Sequence, residues 1–179
     1  MQPSNQHERA LKSIGLISDT HDYLDPLVYK YFADVDEIWH AGDIGSARLA
    51  DELSAFKPFR AVFGNIDGAE LRRMFKEEEF FDVEQLKVYM THIGGYPGRY
   101  PERIKQRLKD LRPGLFICGH SHILKVMFDK QLQLIHMNPG AAGIHGFHLK
   151  KTLIRFKIEN GKILEPQAIE LGNRSGKSN

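Results

Sequence analysis

Apolar and polar positions along the chain follow two successive patterns. From residue 14 to residue 63, short apolar runs alternate with amphipathic stretches. Residues 14–17, 37–41 and 59–63 read as buried strands bounded by polar or turn-forming residues. Between them, Asp25-Pro26 opens a helix with an apolar stripe of Leu27, Val28, Tyr31, Phe32 and Val35. Ser46 caps a second helix to about residue 56, with Leu49, Leu53 and Phe56 on one face and Pro58 as its stop. Strand, helix, strand, helix, strand is the pattern of parallel crossovers under helices. From residue 79 the pattern changes. Residues 80–83 and 86–90 predict a hairpin about Glu84-Gln85, and Tyr100-Pro101 leads into a helix to about residue 111 striped by Ile104, Leu108 and Leu111. Residues 115–118 predict another buried strand, and 125–128, 133–137, 152–158 and 163–170 predict further β structure, with turns near Asp129-Lys130 and at Glu159-Asn160-Gly161.

Early crossovers followed by late hairpins predict an α/β fold, a four-layer α-β-β-α sandwich of two mixed sheets flanked by helices. The 179 residues suit a single domain, 1–179, with its core at about 14–171. Residues 1–12 and 173–179 are polar and aperiodic and predict a frayed lead-in and a solvated tail.

The ends of the apolar runs carry the candidate chemistry. The first runs out into Asp19 and His21, and later ones end at Asp43, Asn65, His92 and the pair His120 and His122. Strand carboxyl ends are where open α/β sheets place their ligands. One loop Asp reads as a turn former or helix cap; the recurrence favours a metal site. Alternation would let His120 and His122 point the same way. Two divalent metals held ~3.5–4 Å apart polarise a phosphoryl oxygen and lower the pKa of a shared water. Asp43 is the natural bridge, because a carboxylate has two oxygens whereas an imidazole nitrogen binds one metal. Mixed nitrogen and oxygen donors put manganese first, with iron, zinc, nickel or cobalt as alternatives, ahead of calcium.

Composition narrows the picture. An apolar fraction of 41% with 27% charged residues argues against disorder. No apolar run approaches the ~18–20 residues of a membrane span, and the amino terminus lacks a signal-peptide core, so a cytoplasmic protein without a membrane partner is expected. Cys118, the single cysteine, excludes an intrachain disulfide and a thiolate cluster. A net charge of +2 gives no ground for specific nucleic-acid binding. Exposed edges such as the terminal hairpin allow a homo-oligomer.

Other residues read more plainly. His40, inside a strand, reads as structural support, Ser18 and Ser121 as groups that bond the backbone, and Cys118 as a buried apolar residue. Of His136, His145 and His148, His145 in the Gly-rich loop 138–146 is the candidate substitute acid. The loop 94–100 reads as a surface connection, or else as a rim with Tyr96, Tyr100 and Arg99 on substrate. The run Arg103, Lys105, Arg107, Lys109 and the triplet 77–79 read as solvated charge.

In this order, Asp19-x-His21, Gly42-Asp43, Gly64-Asn65, His92 and Gly119-His120-Ser121-His122 resemble, block by block, the calcineurin-like metallophosphoesterase superfamily over roughly residues 14–171. Ser18-Asp19-Thr20-His21, His40-Ala41-Gly42-Asp43, Asn138-Pro139-Gly140 and the small size resemble its compact bacterial and archaeal phosphodiesterase branch. The resemblance implies the sandwich fold and a metal-dependent phosphodiesterase acting on a small phosphoester through a hydroxide that bridges two divalent metals. It also implies Asp19, His21 and His122 on one metal, Asn65, His92 and His120 on the other, Asp43 shared, and Asp43, Asn65 and His92 as catalytic residues. Two positions depart. Ile66 stands where many members carry the His that protonates the leaving group, a contribution worth ~10²–10⁴-fold, so either slow turnover of poor leaving groups or a preference for good ones, such as activated aryl diesters, is expected. His92-Ile93-Gly94-Gly95 departs in the residues after the ligand. The alternatives are a phosphomonoesterase or nucleotide hydrolase on the same site, and a non-catalytic protein-binding scaffold like the retromer subunit of this fold, whose site has lost ligands. All seven positions are filled here.

Overall fold

Alternate residues of the first strand divide the core in two. In the computed structural model, which describes residues 11–174, β1 (Lys12–Ile17) sends Ile14 and Leu16 into one apolar cluster and Ile17 into another. Successive strand side chains leave by opposite faces. The same division recurs in β2 (Glu37–His40), where Trp39 and Ile38 part, and in β9 (Lys150–Glu159), where Ile154, Phe156 and Ile158 part from Leu153. It holds for β5 (Leu86–Thr91) and β6 (Leu115–Ile117): Val88, Met90, Leu115 and Ile117 enter the first cluster, Tyr89 and Phe116 a third.

These strands belong to two five-stranded mixed sheets. With β3 (Phe59–Ala61) and β10 (Lys162–Asn173), the first runs β10-β9-β1-β2-β3, parallel through β1, β2 and β3 and antiparallel at β9 and β10. With β4 (Glu78–Val83), β7 (Leu124–Asp129) and β8 (Leu134–Pro139), the second runs β4-β5-β6-β8-β7, parallel through β5, β6 and β8. The sheets enclose the first cluster between them. On the outer face of the first sheet lie α1 (Leu27–Tyr31), α2 (Ala47–Phe56) and α3 (Ala69–Met74), and on that of the second lies α4 (Glu102–Leu111). This is the four-layer α-β-β-α sandwich expected from the pattern.

Local chemistry explains the boundaries. The Ser46 hydroxyl accepts from the Leu49 amide and caps α2. Glu84 and Gln85 take positive φ, 45° and 67°, in the two-residue turn of the β4–β5 hairpin. Four expectations are corrected. The first helix has five residues; Phe32 and Val35 are buried beyond its end. The sequence pattern gave no element between Asn65 and Glu78, yet α3 forms there, because a single buried residue, Leu71, carries its packing and leaves no stripe to read. Lys12 already belongs to β1, while Asn173 pairs with Lys150 and the Arg174 amide donates to the Leu149 carbonyl. The remainder of the expected lead-in and tail, residues 1–10 and 175–179, lies outside the described residues. Finally, Glu78 is not simply solvated: Arg103 and Arg107 of α4 both pair with it.

Candidate metal centre

Asp19 and His21 follow β1, the 42–45 loop follows β2, the 64–67 loop follows β3, His92 follows β5 and residues 119–122 follow β6. Parallel pairing aligns those carboxyl ends, so five loops meet at one edge of the two sheets. Main-chain bonds tie the first two together: the amides of Asp19, His21 and Asp22 donate to the carbonyls of Gly42, Asp43 and Ile44 at 3.0, 3.0 and 2.9 Å. His40, buried and in contact with the Thr20 hydroxyl at 2.9 Å, accepts from the Gly42 amide at 3.2 Å and braces the same junction. Burial lowers its pKa to about 4, so it is neutral there.

Five candidate ligands sit in left-handed backbone: Asp19, His21, Asp43, His120 and His122 have φ of 53°, 48°, 56°, 66° and 57°. For a non-glycine residue that conformation costs of order 1–3 kcal/mol and persists only where the surroundings over-determine it. Its concentration here marks backbone bent to aim side chains.

The side chains converge in two groups, Asp19 with His21 and His122, and Asp43 with His92 and His120, the ligating atoms of each lying within 4.8 Å of one another. Asp43 faces both: its Oδ2 is 3.6 Å from His21 Nε2 and 3.3 Å from His92 Nε2. The Asn65 side-chain oxygen completes the second group, 3.1 Å from His92 Nε2. All seven residues singled out in the sequence are therefore brought to one place. His120 and His122 get there by a different route from the one expected. They lie in a turn, not a strand, and its left-handed backbone sends them to separate groups.

Tautomers show what the site lacks. The Ala41 carbonyl, 2.8 Å from His92 Nδ1, can only accept, so Nδ1 carries the proton. Nε2 of the neutral ring then presents a lone pair to the oxygens of Asn65 and Asp43. In the neutral ring acceptor faces acceptor, an arrangement that either a metal ion or a second proton on the ring relieves. Correspondingly, Asp19 Oδ1 and His21 Nε2 are buried without a hydrogen-bond partner, a state native proteins avoid unless an ion satisfies it. The donor set, carboxylate, amide and imidazole around bare acceptor atoms, fits divalent metal.

The electrostatics agree. For Asp43 burial favours the neutral acid, but the hydrogen bond and charge of His92, with the Ile66 amide and His21, outweigh it and hold the carboxyl below its usual range. For His92 burial favours the neutral ring, but Asp43 and Asp19 hold its pKa above the ordinary value. At His21 burial prevails over the same carboxylates and lowers it. One proton on His92 thus does in part what a cation would.

Supporting residues complete the centre. Asp19 Oδ2 accepts from the Ser18 hydroxyl at 2.7 Å and the His120 amide at 3.1 Å. Asp43 Oδ1 accepts from the Ile66 amide at 3.0 Å, so residue 66 acts through its backbone while its side chain is 46% exposed. Gly64 is required by proximity: a Cβ there would lie 2.0 Å from Asp43 Oδ1. Asp67, which the sequence reading passed over, joins two ligand loops by accepting from the amides of Ile44, Gly45 and Gly64 at 3.2, 2.8 and 2.7 Å. Its one sequence signal is an Asp two positions after Asn65 in a turn. Asn138 holds the Gly119 carbonyl and the Ser121 hydroxyl at 2.8 and 3.1 Å. Of the remaining histidines, His136 is buried in β8 against Tyr100 and Phe116, His145 lies 5.9 Å from the His21 ring, and His148 contacts His122. Tyr100 packs beside Phe116, as expected of a connecting loop, whereas Tyr96 lies under Lys125. Beside Asn65 and His92 opens a cleft of about 360 Å³, walled by Phe63, Arg72, Ile93 and Ile104.

The family model of the calcineurin-like phosphoesterase superfamily domain matches residues 13–161. A probable metallophosphoesterase of Methanothermobacter thermautotrophicus is 31% identical over 137 residues, 72% of this chain and 76% of the relative. A phosphodiesterase of Methanocaldococcus jannaschii is 28% identical over 143 residues, 71% of this chain and 82% of the relative. Among solved structures, an archaeal phosphodiesterase superposes with a TM-score of 0.71 at 22% identity, covering 88% of this chain and 99% of that one. Vps29 of Chaetomium thermophilum superposes with a TM-score of 0.68 at 12% identity, covering 89% and 93%.

Proposed function

The chain belongs to the calcineurin-like phosphoesterase superfamily, and from that premise we propose that it is a binuclear metal-dependent phosphodiesterase acting on a small phosphoester. The observation that carries the reading is the convergence of ligating atoms in which Asp19 Oδ1 and His21 Nε2 are buried without a hydrogen-bond partner, beside a His92 Nε2 that faces the oxygens of Asn65 and Asp43. Asp19, His21 and His122 would hold one divalent metal, Asn65, His92 and His120 the other, and Asp43 both. When bound, such a pair would lower the pKa of a bound water and polarise the phosphoryl oxygen.

The protein's own residues do the rest. Asp43 fixes the spacing of the two groups because the Ile66 amide holds one of its oxygens and leaves the other to face both. Asn65 and His92 line the inner wall of the 360 Å³ cleft, which is where a substrate's phosphoryl group meets the centre while its substituent lies against Phe63, Ile93 and Ile104. Ile66 offers no proton to a departing alkoxide, so a stable leaving group is favoured. The phosphodiesterase relative of M. jannaschii supports the diester over the monoester.

Purified protein should hold two divalent ions per chain and hydrolyse a bis-aryl phosphodiester in the presence of Mn²⁺ faster than the corresponding aryl monoester. Metal uptake with no turnover on any phosphoester would give the chain to the scaffold class. Faster turnover of the monoester would give it to the phosphomonoesterases.

A further inference from the structure

The loop between β8 and β9 carries, one residue before its end, a histidine that no step above uses. His148 Nε2 lies 2.9 Å from the Gly143 carbonyl and His148 Nδ1 lies 3.1 Å from His122 Nδ1. A carbonyl accepts only, so Nε2 carries the proton of His148 and Nδ1 presents a lone pair. The nitrogen facing that lone pair must then donate, which places the proton of His122 on Nδ1 and leaves its Nε2 bare. That bare nitrogen is 3.2 Å from Asp19 Oδ1, the buried oxygen without a partner.

Resting on the metal-binding reading above, we propose that His148 is a positioning residue: through a fixed His148–His122 hydrogen bond it holds His122 in the tautomer and orientation in which Nε2 can ligate the metal shared with Asp19 and His21.

Three further observations show the contact is built. A chain of bonds joins the two ligands, because the Gly143 amide donates to the Asp19 carbonyl at 3.0 Å; it runs from Asp19 through Gly143 and His148 to His122. Gly146, at φ 121°, passes over the pair so closely that a Cβ would lie 2.2 Å from His122 Nδ1, so the loop admits no side chain there. Arg174 clamps the loop, its guanidinium donating to the carbonyls of His148 and Ile144 at 3.0 and 3.2 Å and its amide to that of Leu149 at 2.9 Å. A ligating imidazole ordinarily gives its second N–H to a carboxylate, a carbonyl or water, and losing that partner costs 10–100-fold in metal affinity or activity. Here the partner is a second imidazole, itself oriented by a carbonyl.

The experiment is calorimetric titration of the full chain with Mn²⁺, for wild type, His148→Leu and His148→Asn. Wild type should take up two ions. His148→Leu should lose about 10–100-fold in affinity for one ion and keep the other within about twofold, and His148→Asn, whose Oδ1 replaces Nδ1 as the acceptor, should recover most of the loss. Nitrogen NMR of the zinc-loaded wild type should show His122 protonated at Nδ1 and His148 at Nε2, a reading that stands whether or not the leucine variant folds. Unchanged affinity for both ions in His148→Leu, an asparagine variant as weak as the leucine one, or His148 protonated at Nδ1 would each overturn the positioning role while leaving the metal centre intact. A wild type that binds no divalent ion would overturn the proposed function, and this inference with it.

Discussion

The imidazole of His122 is oriented by another side chain, whereas that of His92 is oriented by the main-chain carbonyl of Ala41. Ala41 directly follows β2 and lies two residues before Asp43, so the second group is braced by its own scaffold. The brace of the first group comes from a loop between β8 and β9 that carries the fully exposed Phe147 next to His148. Two half-sites with similar donors are thus braced from different places: the second group by the main chain that follows its own strand, the first by a side chain of a loop distant in sequence, where a substitution that touches no ligand can remove the brace.

Three measurements test that difference, from the largest expected effect to the smallest, and a fourth tests a residue outside it. Asp43→Ala removes the one residue common to both halves. Turnover should fall by at least about 10³-fold, more than the loss of a single electrostatic donor, and at least one metal should leave while the circular dichroism of the fold is kept; full turnover would show that the halves share nothing. Ile66→His supplies a proton donor beside Asn65, in the half that faces the cleft. It should raise turnover of alkyl-leaving-group diesters by roughly 10–10²-fold, within the worth of general acid catalysis, and aryl diesters much less. An equal gain on both substrates would show that leaving-group protonation is not what the site lacks.

The pH dependence separates the halves without any substitution. Protons and metals compete for the same imidazole nitrogens. Burial favours neutral rings at both His21 and His92, but the carboxylates win at His92, raising its pKa, and lose at His21, whose pKa is lowered. As pH falls, protonation reaches His92 first, so the ion of the Asp43 group should leave at a higher pH than that of the Asp19 group. Occupancy followed with Co²⁺ spectra would show two steps; a single step, or the reverse order of loss, would contradict the assignment. The fourth measurement lies outside the centre. His136 is buried and its pKa is lowered to about 4 by burial, then by Lys125. The unfolded chain binds the proton more readily, so stability should fall as pH drops from the ordinary histidine value toward 4, by up to about 3 kcal/mol. His136→Phe should flatten that part of the profile in denaturant melts and leave metal affinity unchanged.

Much of this was legible before any coordinates, for identifiable reasons. The buried strands were readable because β1, β2, β5 and β6 are apolar on both faces, a consequence of lying between another sheet and a helix layer. The ligands were readable because each terminates such a run. The short helix α3 was not, since one buried leucine makes no periodicity. Asp67 and His148 were not, because their partners are backbone groups and a ring that chain folding alone brings near: His148 is 26 residues from His122 in sequence.

The sequence by itself determined which residues could be ligands and that they would stand at strand ends, because hydrophobic burial sets strands and their limits locally. Tertiary structure decided how they are divided. Left-handed backbone at His120 and His122 parts two neighbours between the groups, and Asp43 faces both because the Ile66 amide occupies its other oxygen. Those outcomes depend on dihedral angles and on contacts between loops far apart in the chain. Neither follows from hydrophobic periodicity or strand ends, and before the coordinates only the family resemblance implied the same division.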